Sequence, residues 1–586
     1  TKIMPLVSAV GELGMGPWMR TSIRIVSSFA LLSLIIAELS LTSASANLDE
    51  PERYAVEMPA EDGWHGVNFD NTNKDWALPS HLVAGREIFR NVGSQEIAVC
   101  KDLQDPECLK SGWSMKVRAI FDKCESIQDR NCIVSFAAIK DDGTRLEGTQ
   151  KEVLTTRHAF AGDPAQGIPS GAGAGIWTIK DGSSESTYAL IAGIELAVNN
   201  VIESRAAGND SRIRREKMLF ALQPVEMATG DQYRETVMAI ENGVLIGQTS
   251  AIGLGCFVAT NGACGLSKVF PDNLSYEVKV RFSKGVQGWM VGRIQNFKLS
   301  ANELATQDGF ELTISGKASK VGAVIAWSRW KDTSDAVRTL YDDGKGVDGV
   351  QWRPNKPIEL LVKDGEARTI LTYLNEAGEK SIRHFNAWLP LISDKATVMR
   401  TRWNVQSVAD RGGTYDRCSQ GKGIVGVINS NASVYSDGPP TFNKATGTLE
   451  YQVAAPHYTS DGVTKHLGSY DLVLRSDVAR CIYGFSDAPI SATVSIESED
   501  GTNVVSTESV TERDGLIRLS AYGFGFSSPT IKVKLSQDVI NEDRQATTKV
   551  TTQVNKKLVC VKGKKERTFS AKKTQCPKGF KRVKTQ

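Results

Sequence analysis

Hydrophobic and polar residues alternate with a period of two through much of this chain. In YEVKVRF the apolar Tyr276, Val278, Val280 and Phe282 are interleaved with Glu277, Lys279 and Arg281. In an extended strand that pattern puts one face in a core and the other in water. The same alternation returns at Phe310-Leu312-Ile314, Leu449-Tyr451-Val453, Ala492-Val494-Ile496 and Ile531-Val533-Leu535. Eleven Asp-Gly and two Asn-Gly dipeptides punctuate the chain, among them Asp364-Gly365 and Asp500-Gly501. They supply the positive-φ residues that tight hairpins require. Many short strands with regular turn signals predict an all-β fold of tandem antiparallel β-sandwich modules with disulfide staples, not βαβ units. Helical periodicity is confined to two stretches, Ser211 to Leu222 and Ser334 to Tyr341.

Length and composition narrow this further. At roughly 100–200 residues per domain, 586 residues imply three or four domains. With 41% hydrophobic and 23% charged residues the chain is of ordinary globular composition, which excludes wholesale disorder. The 52 glycines follow no Gly-X-Y period, which excludes collagen.

The ten cysteines are Cys100, Cys108, Cys124, Cys132, Cys256, Cys264, Cys418, Cys481, Cys560 and Cys576. Three neighbouring pairs share the spacing C-x7-C. Neighbour pairing is the simplest framework, completed by Cys418–Cys481 and Cys560–Cys576. Crossed pairing among the first four, such as Cys100–Cys124, stays open, because sequence does not fix connectivity. By chain entropy the short loops would contribute about 2.6 kcal/mol each and the Cys418–Cys481 loop about 4.3 kcal/mol, less any strain. No C-x2-C occurs, and His65, His81, His158, His384, His457 and His466 show no ligand spacing to a cysteine, so no metal or other cofactor is expected.

Residues 19–46, MRTSIRIVSSFALLSLIIAELSLTSASA, have a cationic start at Arg20 and Arg24, an apolar run from Ile25 to Ala37, and small residues at Ala44-Ser45-Ala46. That is the three-part pattern of a secretory signal, with Met19 as the start and residues 1–18 as upstream sequence. Glu38 interrupts the run before the roughly 20 apolar residues that a membrane span needs. No transmembrane span is expected in the mature chain.

Charge is segregated. From Lys549 to Gln586 there are thirteen Lys or Arg against one acid, Glu566, a net +12. With the whole chain at +3 and +1 in residues 1–46, residues 47–548 sum to −10. An acidic body thus ends in a basic tail. Val559, Val561, Phe569 and Phe580 punctuate that tail, and Cys560 and Cys576 bracket a loop in it, so a disulfide-closed hairpin is expected. Lys556, Lys557, Lys562, Lys564, Lys565, Arg567, Lys572, Lys573, Lys578, Lys581 and Arg582 are its candidate contacts to an anionic surface.

The chain divides on this reading into upstream residues and leader (1–46, signal peptide 19–46), an N-terminal β domain (47–249) and a middle β domain (250–409). A C-terminal β-sandwich (410–546) and the basic disulfide-closed tail (547–586) follow. The segment from Pro439 to Ile496, containing RCIYGF, and the following LSAYGFGFSSPTIKVKLSQD resemble a module of uncharacterised secreted proteins of Actinobacteria. The stretch from Cys256 to Phe297, with Trp289 to Arg293, looks like that family's middle module, and the ending LVCVKGKKERTFSAKKTQCPKGFKRV is similar to a basic two-Cys tail on exported proteins of the same bacteria. The resemblance implies export, shared architecture and a Cys418–Cys481 bond. It implies no activity, and the catalytic residues stay unknown.

Motifs that would signal chemistry are sparse. PSGAGAGIW, Pro169 to Trp177, is the nearest to a phosphate cradle, but Ile176 to Ile179 reads as a strand and not as a helix N-terminus, so a mobile or bulged loop is expected. No G-x-S-x-G, H-E-x-x-H or Walker A sequence occurs. His457, beside Tyr458, Ser460 and Asp461, is expected to make a structural hydrogen bond at a strand end. Asp342, Asp343 and Asp348 in YDDGKGVDG miss the EF-hand spacing and read as a solvated turn. Of eleven Trp, most are expected in cores, leaving Trp330 and Trp352, near Trp327, as weak ligand candidates.

These features point to a secreted, non-enzymatic cell-envelope or surface protein acting in adhesion or binding. It is expected to be non-covalently surface-associated, held by its tail on anionic polymer or lipid headgroups. The alternative is an extracellular polysaccharide-binding protein or carbohydrate-active enzyme with a glycan partner. Nucleic acid is not expected, since export removes the partner and the tail offers no groove-reading element.

Overall fold

The computed structural model describes most of residues 64–537, without 70–78, 87–96, 200–212, 342–369 and several shorter breaks, and in the tail 558–562, 565–569, 578, 581 and 582. The leader lies outside the described residues. The architecture is all-β.

The first strands are β1 (Trp64–Asn68), β2 (His81–Gly85), β3 (Ile97–Val99), β4 (Ser114–Ile120), β5 (Cys132–Lys140), β6 (Arg145–Val153), β7 (Gly175–Asp181), β8 (Ser184–Val198) and β9 (Ile213–Thr229). The middle of the chain adds β10 (Val237–Glu241), β11 (Val244–Gln248), β12 (Cys256–Thr260), β13 (Ala263–Ser267), β14 (Leu274–Phe282), β15 (Gly288–Gly292), β16 (Ile294–Glu303), β17 (Phe310–Ala323), β18 (Ile325–Arg329), β19 (Ile370–Tyr373) and β20 (Val398–Val408).

Eight of these strands close a ring. β5 pairs with β6, then β7, β8, β9, β20, β17 and β14 follow in turn, and β14 pairs back onto β5, every step antiparallel. A ring of eight has an interior that side chains can fill. Phe136, Trp177, Tyr188, Phe220, Tyr276 and Phe282 do so, as members of one buried cluster. The expected alternation of β14 is borne out: Tyr276, Val278, Val280 and Phe282 are all fully buried. The spans 47–249 and 250–409 therefore supply a single barrel between them and not two sandwiches. Closure explains this, because pairing β5 with β14 and β9 with β20 removes the free edges that separate sheets would leave.

The predicted helix over Ser211 to Leu222 is a correction: from Ile213 onward the chain runs in β9. Met218, Phe220 and Leu222 enter the barrel core, while Leu219 and Ala221 join an outer cluster with Phe257 and Val258. A strand buried on both faces has no clean alternation, and barrel pairing overrides helical propensity. The other expected helix is present as α1 (Asp335–Tyr341). It packs with α2 (Glu379–Trp388) beside the three-stranded sheet β18-β1-β19, around Val67, Phe69, Val337, Phe385 and Trp388.

The C-terminal part contains α3 (Asp416–Ser419), β21 (Ile424–Ser430), β22 (Val434–Tyr435), β23 (Thr441–Asn443), β24 (Thr448–Ala454), β25 (Leu467–Arg475), α4 (Ser476–Tyr483), β26 (Ile490–Glu497), β27 (Asn503–Val504), β28 (Thr507–Arg513), β29 (Leu516–Gly525) and β30 (Thr530–Gln537). One sheet runs β21-β25-β29-β28 and the other β24-β30-β26. Leu449, Tyr451, Leu472, Leu519, Ile531 and Val533 share the core between them, so this part is a β-sandwich, as expected.

Barrel and sandwich are joined through β15, which pairs antiparallel with β20 and parallel with β21. Its alternation serves two cores at once: Met290 points into the barrel cluster, and Trp289 and Val291 into the sandwich cluster. Among the described residues four disulfides are formed, Cys100–Cys108, Cys124–Cys132, Cys256–Cys264 and Cys418–Cys481. The neighbour framework holds for these eight cysteines and the crossed alternative falls. In the tail, β31 (Leu558–Lys562) pairs with β32 (Lys565–Phe569) and with β33 (Lys581–Arg582), which gives the expected hairpin a third strand. The Cys560–Cys576 bond lies outside the described residues.

Candidate functional site

A cleft of about 370 Å³ opens where the barrel meets the sandwich. Barrel residues form most of it. Phe270, Pro271 and Asp272 come from the approach to β14, Leu274 from its start, Lys317 to Lys320 from β17, and Thr401 from β20, while Asn431 and Ser469 come from the sandwich. Gln295 sits at an irregularity in β16, which pairs with β17. It pairs opposite Lys317, the next paired residue is Lys298 opposite Ser315, and the strand bulges between them, with Asn296 at φ 55°. Bulges of this kind re-aim side chains and bend the strand locally. Here Gln295 lines the cleft, and Asn296 reaches the sandwich, where its Oδ1 accepts a 3.2 Å hydrogen bond from the Tyr522 hydroxyl.

The polar groups of the cleft fall into two kinds. Some are committed to holding the junction. Asn431 Oδ1 accepts from the Ser469 backbone N–H at 2.8 Å and its Nδ2 donates to the Leu467 carbonyl at 2.9 Å. Behind it lies His466, buried, its imidazole pKa lowered chiefly by that burial. Thr401 Oγ1 accepts from the Phe270 N–H. Others are unspent. Ser319 and Ser469 are mostly buried as residues, but their hydroxyls stay open to the cleft, and among the described residues neither hydroxyl nor the half-buried Gln295 amide makes a hydrogen bond to the protein. Polar groups that face a cleft and make no bond to the protein are free to bond a ligand or water there.

Charge at the cleft is balanced pair by pair. Lys320 Nζ lies 3.0 Å from Asp272 Oδ2, and Lys317 Nζ lies 2.6 Å from Asp141 Oδ1 and also donates to the Asp272 carbonyl. Among the described residues Asp272 is the one carboxylate in the lining, and no Trp lines it. Sequence reading passed over these residues because Ser319 and Ser469 occupy strand positions that read as solvated polar faces. Only tertiary pairing brings β16, β17, β20 and the sandwich loop together.

The motifs singled out in sequence resolve differently. His457 donates its backbone N–H to Asp394 at 3.0 Å and its ring Nδ1 bonds the same carboxylate, so it does the structural work expected of it. Asp461 organises its own turn, accepting from the Thr464 hydroxyl and from the Val463 and Thr464 N–H groups, bonds that hold its carboxyl well below the usual range. The glycine-rich loop packs tightly on its neighbours: Ala172 bridges Ile120, Gly171 bridges Phe160, and a Cβ on Gly173 would lie on the Leu154 carbonyl. Its glycines permit close packing, with no helix N-terminus following.

Trp113, Trp177, Trp289, Trp388 and Trp403 are core residues, and Trp327 lies against Gly66. Trp330, Trp352, Asp342, Asp343 and Asp348 lie outside the described residues. So do Lys556, Lys557, Lys564, Lys572 and Lys573 of the tail. Lys562, Lys565, Arg567, Lys581 and Arg582 fall on its three strands, and Lys578 is exposed. Among the described residues no group of three or more metal-ligating side chains occurs, and no helix is long and apolar enough to cross a membrane. No protein family, curated protein or solved structure matches the chain.

Proposed function

We propose that the protein is exported and acts without catalysis as a binding protein of the cell envelope, held there by its cationic tail. The observation that carries this reading is cysteine use: all eight cysteines whose side chains are described are paired. Stable structural disulfides belong to oxidising compartments. The signal pattern of Met19 to Ala46 and the resemblance to exported actinobacterial proteins point the same way. For the tail, each Lys or Arg near an anionic surface contributes on the order of 1 kcal/mol, screened beyond about 8–10 Å at physiological salt. With twelve net positive charges in residues 549–586, retention on anionic polymer or lipid headgroups is electrostatic and reversible.

A carbohydrate-active enzyme would need two carboxylates flanking the scissile bond. Among the described residues the cleft lining offers only Asp272. The test is a salt wash of intact cells carrying either the full chain or a chain ending at residue 548. The full chain should stay bound at low salt and release as salt rises, and the shortened one should wash off at low salt. Equal retention of both would overturn the tail's role.

A further inference from the structure

We propose that the junction cleft is a binding site for a short, neutral, hydroxyl-rich ligand of the size of a mono- or disaccharide. Its volume of about 370 Å³ stands at the lower end of the roughly 300–1,000 Å³ of small-molecule pockets. That suits one or two sugar units and not a long stretch of polymer.

The class of ligand follows from what the cleft leaves unsatisfied. Ser319 and Ser469 each present to the cleft a hydroxyl that has no partner among the described residues, and Gln295 adds an amide with a donor and an acceptor to spare. These three groups can both give and take hydrogen bonds, as sugar hydroxyls do. The charged groups argue against an anion. Lys317 and Lys320 are each occupied by a carboxylate of this chain, Asp141 and Asp272, so a phosphate or carboxylate would have to displace a salt bridge to bind. A neutral diol has no such conflict: it can donate to Asp272 and accept from Lys320 while their pair stays intact. Pro271, Leu274 and Ala318 supply an apolar wall for the C–H face of a ring.

The site is held in shape from both sides. The β16 bulge sets Gln295, and Asn431 fixes Ser469 through its backbone N–H. Neither the barrel nor the sandwich alone would present all three groups, so the ligand would bridge the two bodies. The inference does not depend on tail-mediated retention, and it is tested on purified protein.

The experiment is saturation-transfer NMR on the full chain with glucose, galactose, mannose, N-acetylglucosamine and maltose as probes, inorganic phosphate being titrated in parallel by calorimetry. At least one sugar should give a transfer signal. Gln295→Ala should weaken its binding about tenfold, the equivalent of one hydrogen bond. Ser319→Val, which replaces a lining hydroxyl by bulkier apolar groups, should abolish it. Should Ser319→Val fail to fold, Ser469→Ala carries the same arm, with about tenfold loss expected. Absence of signal from every probe, unchanged binding in Gln295→Ala, or binding of phosphate in preference to the sugars would overturn the proposal.

Discussion

The hydroxyl of Tyr522 donates a 2.6 Å hydrogen bond to Asp471, a carboxylate only 5% exposed on the neighbouring strand. Ser520 donates to the same oxygen at 2.5 Å. Tyr522 also reaches Asn296 on the β16 bulge, so this buried acid sits in the seam between barrel and sandwich. Burial pushes the Asp471 carboxyl above its usual 3.8, and the hydrogen bonds from Ser520 and Tyr522 only partly restore it.

A carboxyl whose pKa is higher in the folded state holds its proton longer there than in the unfolded chain. Its contribution to stability is therefore full below pH 3.8 and is lost as pH rises through the raised value. Asp471→Asn keeps an oxygen acceptor for Ser520 and Tyr522 and removes the titration. Urea unfolding at intervals from pH 4 to 7 should show stability relative to Asp471→Asn declining as pH rises. Parallel curves for the two proteins would show that the buried charge carries no such cost.

The buried imidazoles work in the opposite sense. His81, beside Arg118 and Glu195, and His65, against Trp388, are both lowered from 6.5 to about 4, mainly by burial. Protonation then favours the unfolded chain, so their contribution is intact above pH 6.5 and is lost as pH falls toward 4. His81 Nδ1 lies 2.9 Å from the Pro79 carbonyl, a contact that an Asn amide can reproduce. Thermal unfolding from pH 7 to 4.5 should show His81→Asn losing less of its stability on acidification than the parent chain does.

Which of these features a reader of the sequence can see depends on how local their cause is. The alternation of Tyr276 to Phe282 and the turn at Asn261-Gly262, where Gly262 takes φ 88°, are set by neighbours in sequence and were legible. So was the short-range pairing of Cys256 with Cys264, which spans a single hairpin. Strand β9 was not, because Met218 to Leu222 bury both faces and the alternation that marks a strand vanishes. Barrel closure depends on β5 meeting β14 and β9 meeting β20, pairings between residues more than a hundred positions apart. The cleft compounds the difficulty: Gln295, Ser319 and Ser469 each look like an ordinary outward polar position until the bulge and the junction bring them together.

Gly426 on β21 has no room for a side chain. A Cβ there would lie 2.4 Å from the Trp289 ring, which fills the sandwich core from β15. Moving the indole would disturb the strand that joins the two bodies. Gly426→Ala is therefore expected to cost about 1–3 kcal/mol, the range for overpacking a dense core. The check is the urea midpoint, with near-ultraviolet circular dichroism reporting the tryptophan environment. An unchanged midpoint would mean that Trp289 relaxes without cost.

Cys418 and Cys481 are 63 positions apart and tie α3 to α4 at the edge of the sandwich, whereas Cys256 and Cys264 are 8 apart within one hairpin. The two bonds restrain very different lengths of unfolded chain. On the chain-entropy account, replacing both cysteines of the long loop by Ala should cost about 4 kcal/mol, and replacing those of the short loop between 2 and 3, roughly. The difference should show in chemical denaturation of the two double variants compared under oxidising conditions. Under a reductant strong enough to open every bond, the gap between parent and variants should close. If the Cys256/Cys264 variant proves the less stable of the two, the stabilisation comes from packing around the bond, where Cys256 and Cys264 are fully buried beside Tyr233, and not from restraint of the unfolded chain.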